Sequence, residues 1–309
     1  MNTDTQRLEE ANACHDTEPA RAAGLIRQID ATQLPAERRP LLAHLFNHVL
    51  GEKLSAWREA LTRQQQLIAS AQPAPALVLW RQLGAAALVA DAAEPLAQAA
   101  QALATASGAS QERAHDLLAL GAAMYLVPGQ PAAQAAQTAL HALAPVTQAK
   151  AWPTRSALDA QAAACANNLA NGLLERHEHE PQNVALCAAL ARSAEQAHRL
   201  WLHAGTWVQQ ERALYTRAVA CTVLGEPHLA RRHALDGLAV LDAHDSAHSE
   251  DVDRAFFELE RWNACAWLSQ MEEAAGALSR AEALAAKFND AGLTDWFEGR
   301  RKKLPGLRR

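Results

Sequence analysis

The chain has 309 residues, of which 50% are hydrophobic but only 5% are aromatic, and its formal net charge is −5 at pH 7. This length suits two or three domains or one long array of repeats. The mild negative charge argues against nucleic-acid-binding proteins that need a basic face. Alanine and leucine favour helix, and no segment alternates strand-forming residues. The sequence therefore predicts an all-α fold.

The first residues and the cysteines bear on location. Residues 1–10 are polar and charged, without the apolar core of a signal peptide. The longest uninterrupted apolar run covers residues 83–90, whereas about 20 residues are needed to span a bilayer. The five cysteines occur singly, without a CxxC pair, which fits a reducing compartment. We expect a cytoplasmic protein without disulfides and without a membrane partner.

Proline and glycine mark where the predicted helices begin and end. Proline is favoured in the first helical turn, where its missing N–H has no partner in any case, and glycine commonly ends a helix. These marks predict about fifteen helices, at residues 4–15, 18–31, 36–50, 53–71, 75–91, 94–106, 110–127, 131–144, 154–176, 182–204, 207–224, 227–243, 250–268, 271–289 and 293–302. Because most connections are short, successive helices are expected to be antiparallel neighbours.

A longer connection at residues 145–153, which contains two prolines, predicts an internal boundary. The predicted organisation is therefore N-terminal helical hairpins at 1–149, C-terminal repeats at 150–298 and a basic tail at 299–309. The tail carries six Lys or Arg residues and no acid. It is expected to be a solvated, frayed terminus, and binding of nucleic acid or another anion is the alternative.

A repeated pattern of small residues is the strongest signal in the chain. Ala230, Ala234 and Gly237 follow a turn at spacings of four and three, and segments 269–281 and 51–60 repeat this arrangement. Small residues at these spacings let a second helix pack closely against the first helix of its own pair and of the next. Residues 80–84 also read W-x-x-L-G. The chain resembles the tetratricopeptide-repeat family, although its longer helices also leave HEAT-like stacking open.

The resemblance implies a right-handed superhelix of antiparallel helix hairpins with an extended concave groove. In that family, asparagine amides on the first helix of each pair hold the backbone of an extended peptide, because an amide both donates and accepts hydrogen bonds. We therefore expect a non-catalytic scaffold or regulatory module that binds a protein or peptide. The candidate groove residues are Asn168, Asn171, Arg212, Tyr215, Asn263 and Trp267.

Motifs for common chemistries are absent from the sequence. It has no GxGxxG or GxxxxGK[ST] loop for phosphates, no GxSxG elbow and no DxDxDG calcium loop. We expect no catalytic residues, no cofactor and no metal. His44 and His48, with Glu52 four residues further on, could share one helix face and bind zinc. The plainer interpretation is two hydrogen-bonded histidines at a helix–helix contact.

Two alternatives belong to other functional classes. Three His-Asp dipeptides occur, at residues 15–16, 115–116 and 244–245, and such a dipeptide ligates a metal in the all-α HD phosphohydrolases. The enzyme alternative is a metal-dependent hydrolase that uses His44, His48, His115 and Asp116. The other alternative is a repeat domain that senses a small ligand or forms a homodimer through an exposed apolar face.

Overall fold

A computed structural model describes residues 3–71, 76–148 and 156–304. All regular secondary structure in these residues is helical, which confirms the predicted all-α class. Among the described helices, none combines the length and the apolar character needed to cross a membrane.

The described residues form fifteen α-helices, numbered here in chain order. They are α1 (Thr3–Cys14), α2 (Pro19–Arg27), α3 (Arg39–Leu45), α4 (Trp57–Ser70), α5 (Leu77–Val89), α6 (Ala93–Ser107), α7 (Gln111–Leu126), α8 (Ala132–Thr147), α9 (Asp159–His179), α10 (Val184–Ala204), α11 (Trp207–Val223), α12 (Pro227–His244), α13 (Asp251–Trp267), α14 (Met271–Ala285) and α15 (Ala291–Lys303). A π-helix, Phe46–Lys53, continues α3, and short 3-10 helices cover Ala31–Gln33, Ala36–Arg38 and Val127–Gly129.

Several predicted helix ends differ from the structure by a few residues, and two of these differences have a clear local cause. The helix expected to end before Gly51 instead widens into the π-helix after Leu45. The helix expected to end at residue 144 runs to Thr147 and carries Pro145 in its last turn. Pro145 lacks the N–H that would bond to the backbone oxygen of His141, and the helix ends two residues later.

Contacts between residues divide the chain into two compact units, Met1–Ala189 (unit 1) and Leu190–Arg309 (unit 2). The sequence predicts a division between 149 and 150 instead, a point that lies outside the described residues. The contact-based division falls within α10, between Ala189 and Leu190.

Unit 1 is organised around α5, α7 and α9. Helix α5 contacts α6 and α7, and α7 in turn contacts α8 and α9. Gly84 brings α5 and α7 close together, because a Cβ atom there would lie 2.4 Å from the Leu118 side chain. A second apolar cluster joins α1, α2, α3, the π-helix and α4, with Leu8, Ile26 and Leu42 fully buried.

Unit 2 contains the best examples of the small-residue pattern. Helix α12 contacts α11 and α13, and α11 also contacts α13 directly. Ala230, Ala234 and Gly237 are buried on α12, and a Cβ atom on Gly237 would lie 2.2 Å from the ring of Phe257 on α13. The small residues therefore have the predicted effect. They let α12 and α13 pack so closely that a methyl group at position 237 would overlap the ring of Phe257.

The predicted basic tail begins inside α15, which extends to Lys303. Arg300 forms an ion pair with Glu260, whose side chain is fully buried, and Arg301 pairs with Glu282 and Glu298. The expectation of a frayed, solvated terminus therefore does not hold from residue 299 to residue 303, because these ion pairs dock the helix. Residues 305–309 lie outside the described part of the chain.

Candidate functional site

A polar cavity of about 250 Å³ opens in unit 1 between the α1–α2 turn, the π-helix, α7 and α9. Its lining combines histidines, carboxylates and amides, the groups that bind metals or polar ligands. The lining residues are His15, Asp16, His44, His48, Glu52, Lys53, Met124, Tyr125, Pro128, Asn168, Asn171, Gly172 and Glu175.

The π-helix supplies one wall of this cavity. π-Helical turns are rare and occur frequently at functional sites. Gly51 lies near its C-terminal end, where a Cβ atom would be 2.5 Å from the ring of Trp57. The glycine therefore allows Trp57, at the start of α4, to pack directly onto the π-helix. His48, Glu52 and Lys53 project from this same segment into the cavity.

His48 lies between two carboxylates. Its Nδ1 atom is 2.9 Å from Glu52 Oε2, and its Nε2 atom is 3.2 Å from Asp16 Oδ1. On the other side of Asp16, His15 Nε2 is 3.3 Å from Oδ2, and Lys53 Nζ is 3.1 Å from Oδ1. The Asp16 carboxylate is thus shared by two imidazoles and one ammonium group.

A buried chain of amide groups supports Tyr125, which lines the cavity. Asn47 Nδ2 donates to both the backbone oxygen and the side-chain oxygen of Gln82, each at 2.9 Å. Gln64 Nε2 donates to Asn47 Oδ1 at 3.0 Å, and the Tyr125 hydroxyl donates to Gln82 Oε1 at 2.8 Å. His44 Nδ1 is 3.0 Å from the Tyr125 hydroxyl, which ties this network to the histidines.

The pKa values of His44 and His48 are shifted in opposite directions. Burial, with help from nearby His48 and Arg81, lowers the pKa of His44 to about 3, so His44 is neutral. Burial also lowers the pKa of His48, but its hydrogen bonds to Glu52 and Asp16 outweigh this effect and leave its pKa raised. The rings stack with centroids 5.4 Å apart and an interplanar angle of 12°. A neutral His44 avoids charge repulsion in this stack.

The structure brings two predicted groove residues into this cavity. Asn168 and Asn171 are exposed on α9 and line the cavity, as the i, i+3 spacing predicts for one helix face. His44 and His48, from the hydrolase alternative, line the same cavity. His115 and Asp116 do not line it. They lie on α7, and His115 Nδ1 is 2.9 Å from the backbone oxygen of Gln111 in the same helix.

The other four predicted groove residues belong to unit 2. Arg212 is exposed and paired with Glu250 and Asp253, each at 3.0 Å. Tyr215 packs edge-on against Phe257, with ring centroids 5.6 Å apart. The remaining two lie on α13, where Asn263 is buried and Trp267 is partly buried.

Sequence reasoning missed several residues of the cavity. Lys53 and Tyr125 carry no motif, and the sequence does not link the His15-Asp16 dipeptide to His48. His48 and Asp16 are 32 positions apart. Their approach depends on how the α1–α2 turn packs against the π-helix, which no local spacing reveals.

No protein-family model matches this chain, and no curated protein matches it. The function of the chain is therefore inferred from the geometry of the site.

Proposed function

We propose that the chain is a non-catalytic binding module built from tetratricopeptide-like helix hairpins, and that it holds an extended polypeptide segment at the unit 1 cavity. The observation that carries this proposal is the pair of exposed amides, Asn168 and Asn171, at the cavity. Each amide offers both donors and an acceptor to a peptide unit, whatever the peptide's side chains are.

The pattern of helix contacts supports a repeat architecture. In a stacked array, each first helix contacts its own partner and the first helix of the next pair. Contacts of α5 with α6 and α7, of α7 with α8 and α9, and of α11 with α12 and α13 follow this rule within their units. The right-handed superhelix is the arrangement that we propose from it.

The charge of the cavity indicates which polypeptide it accepts. Asp16, Glu52 and Glu175 contribute three carboxylates, and Lys53 contributes one ammonium group. Counted without the histidines, these four groups sum to −3 + 1 = −2. A segment with a lysine or arginine side chain suits this field better than an acidic one. The small volume of about 250 Å³ fits one side chain of a segment that otherwise stays outside.

The five cysteines are free thiols, which supports a reducing, cytoplasmic setting for this module.

A second copy of the chain is the alternative occupant of the cavity. Light scattering tests this alternative. Dimerisation that depends on concentration and is lost when Asn168 and Asn171 are replaced would show that the cavity binds a second copy and not a foreign peptide.

The experiment is a selection of peptides from a random display library on the full chain, in the presence of a metal chelator. We expect enrichment of lysine- or arginine-containing peptides. The Asn168→Ala, Asn171→Ala double variant is expected to weaken their affinity at least 10-fold, because two amide hydrogen-bond sites are lost. Fluorescence anisotropy with the selected peptide measures the change.

The matched control replaces Gln134 and Gln137, an exposed amide pair with the same spacing on α8 that does not line the cavity. This control is expected to bind the peptide as the unmodified chain does. Failure to select any peptide, or equal binding by the Asn168/Asn171 variant, would overturn the proposal.

A further inference from the structure

Three side chains at the cavity present metal-ligating atoms to one point. The ligand atoms of His15, Asp16 and His48 all lie within 4.8 Å of one another. The Nε2 atoms of the two histidines lie 3.3 Å and 3.2 Å from the two oxygens of the Asp16 carboxylate. His15 and Asp16 are adjacent in the sequence, and His48 reaches them from the π-helix.

These distances match those in a tetrahedral metal site. Zinc binds histidine nitrogen at about 2.0–2.1 Å and carboxylate oxygen at about 2.0–2.2 Å. Two atoms at that radius around a tetrahedral centre are therefore about 3.3 Å apart, by the geometry of those bond lengths. Both histidine–carboxylate separations already have this value. The two separations involve different oxygens, Oδ2 for His15 and Oδ1 for His48. The three ligand atoms lie within 4.8 Å of one another, so a small shift of the carboxylate and the imidazoles brings them to one ion.

The second nitrogen of each imidazole already has an acceptor. His48 Nδ1 lies 2.9 Å from Glu52 Oε2, and His15 Nδ1 lies 2.5 Å from the backbone oxygen of Asn12. Metal-ligating histidines almost always donate this other N–H to a carboxylate or a backbone carbonyl. When Nδ1 carries the proton, Nε2 presents its lone pair to a metal. Both imidazoles, His15 in the α1–α2 turn and His48 in the π-helix, thus have the orientation of a metal-ligating histidine.

The surroundings hold His48 in place and attract a cation. The His44 ring stacks on His48, and the His44 ring is fixed in turn by the Tyr125 hydroxyl. Glu52 is largely buried, with a side chain 11% exposed, so it is a well-ordered acceptor. Lys53 is the one cation seen on Asp16 among the described residues, and its side chain is 32% exposed. Such a flexible ammonium group can move into solvent when a doubly charged ion arrives.

We propose that His15, Asp16 and His48 bind one divalent transition-metal ion of the zinc class. Two imidazole nitrogens and one carboxylate oxygen favour Zn²⁺ over Mn²⁺, because nitrogen ligands follow the Irving–Williams order. Three protein ligands leave a coordination position open for water or another ligand, and all three of these residues line the cavity. Glu52 is a positioning residue that orients His48. The site stands whether or not a polypeptide binds nearby.

The test is calorimetric titration of the metal-free full chain with Zn²⁺ and with Mn²⁺. We expect one equivalent of Zn²⁺ to bind, and more tightly than Mn²⁺. Replacement of a ligand, in His48→Gln or Asp16→Asn, is expected to weaken Zn²⁺ binding by more than about 100-fold. Glu52→Gln is expected to weaken it by about 10–100-fold, the usual effect of losing an orienting partner.

Two further variants separate a specific site from scattered binding by surface histidines. The His115→Gln, Asp116→Asn double variant removes a dipeptide of the same composition from α7, and it is expected to leave Zn²⁺ affinity unchanged. Lys53→Gln removes the competing cation at an exposed position, and it is expected to strengthen Zn²⁺ binding several-fold. Circular dichroism melting verifies that each variant is folded.

Absence of stoichiometric Zn²⁺ binding would overturn the proposal. So would an equal loss of affinity in the control at His115 and Asp116, or unchanged affinity in folded His48→Gln and Asp16→Asn variants.

Discussion

Carboxylates at the unit 1 cavity and at the helix contacts of unit 2 are paired with different kinds of side chain. In unit 2 the carboxylates of α13, of α14 and of Glu250, which precedes α13, face arginines of other helices at 2.6–3.0 Å. The pairs are Arg212 with Glu250 and Asp253, Arg231 and Arg261 with Glu273, Arg280 with Glu258, and Arg300 with Glu260. In unit 1 the carboxylates at the cavity, Asp16 and Glu52, instead face histidines and a lysine.

Because of this difference, the ion pairs of unit 2 are structural, whereas the partners at the unit 1 cavity can be exchanged for a bound ion. A guanidinium group stays charged at every accessible pH and offers five donors, so its carboxylate partners are permanently satisfied. An imidazole can instead present a lone pair, and an ammonium group on a flexible stem can leave. The clusters of unit 2 therefore dock helices, whereas the cluster of unit 1 keeps ligand atoms that an incoming ion can use.

The largest expected effect breaks a buried pair in unit 2. Arg300→Gln leaves the Glu260 carboxylate, which is 0% exposed, without its cation. Removing one partner of a buried pair costs about 3–5 kcal/mol of unfolding free energy. Urea denaturation followed by circular dichroism measures the loss. Arg232→Gln is the control, because that side chain is 74% exposed and its pair with Asp236 spans 3.8 Å. Its effect is expected to stay below about 1 kcal/mol. Equal stability of both variants would show that Glu260 is hydrated.

The next effect concerns the frame of the unit 1 cavity. Asn47→Ala removes the amide that joins Gln64 to Gln82 in the interior. Buried polar groups left without partners cost about 1–3 kcal/mol each, so the variant is expected to lose about 2–3 kcal/mol in thermal or urea unfolding. Asn171→Ala, an exposed amide of the same cavity, is expected to change stability by less than about 0.5 kcal/mol. A loss for Asn171→Ala as large as that for Asn47→Ala would contradict the hydrogen-bond network described.

The smallest effect tests the small-residue packing of unit 2. Gly237→Ala places a methyl group 2.2 Å from the buried ring of Phe257. Overpacking costs about 1–3 kcal/mol, and the gain in helix propensity returns about 1 kcal/mol, so a net loss of up to about 2 kcal/mol is expected. Gly276→Ala on α14 is the matched control, since its Cβ would approach only Arg280 Nη1, at 3.4 Å. That variant is expected to gain up to about 1 kcal/mol in the same unfolding measurement. If Gly237→Ala is also stabilising, α12 and α13 are not closely packed.

Much of the helical organisation follows from local signals. Proline and glycine positions predict about fifteen helices, and the described residues form fifteen. The spacing of Ala230, Ala234 and Gly237 also predicts a close helix contact, because the absence of bulk is visible in the sequence itself. These features need only the chemistry of neighbouring residues.

The π-helix and the metal-ligating cluster could not be predicted in this way. Periodicity of 3.6 residues does not indicate where a helix widens, and Gly51 was interpreted as a helix end although it provides room for Trp57. The link between Asp16 and His48 depends on tertiary packing over 32 residues. Asn168 and Asn171 were selected from their spacing, yet nothing in the sequence indicates that they lie near the histidines.

The most direct test of the central claim is anomalous diffraction at the zinc edge from crystals of the full chain grown with Zn²⁺. We predict one strong peak at about 2.0–2.1 Å from the Nε2 atoms of His15 and His48 and about 2.0–2.2 Å from an Asp16 oxygen. A strong peak held by other residues, with none at this position, would contradict the assignment of these three side chains as metal ligands.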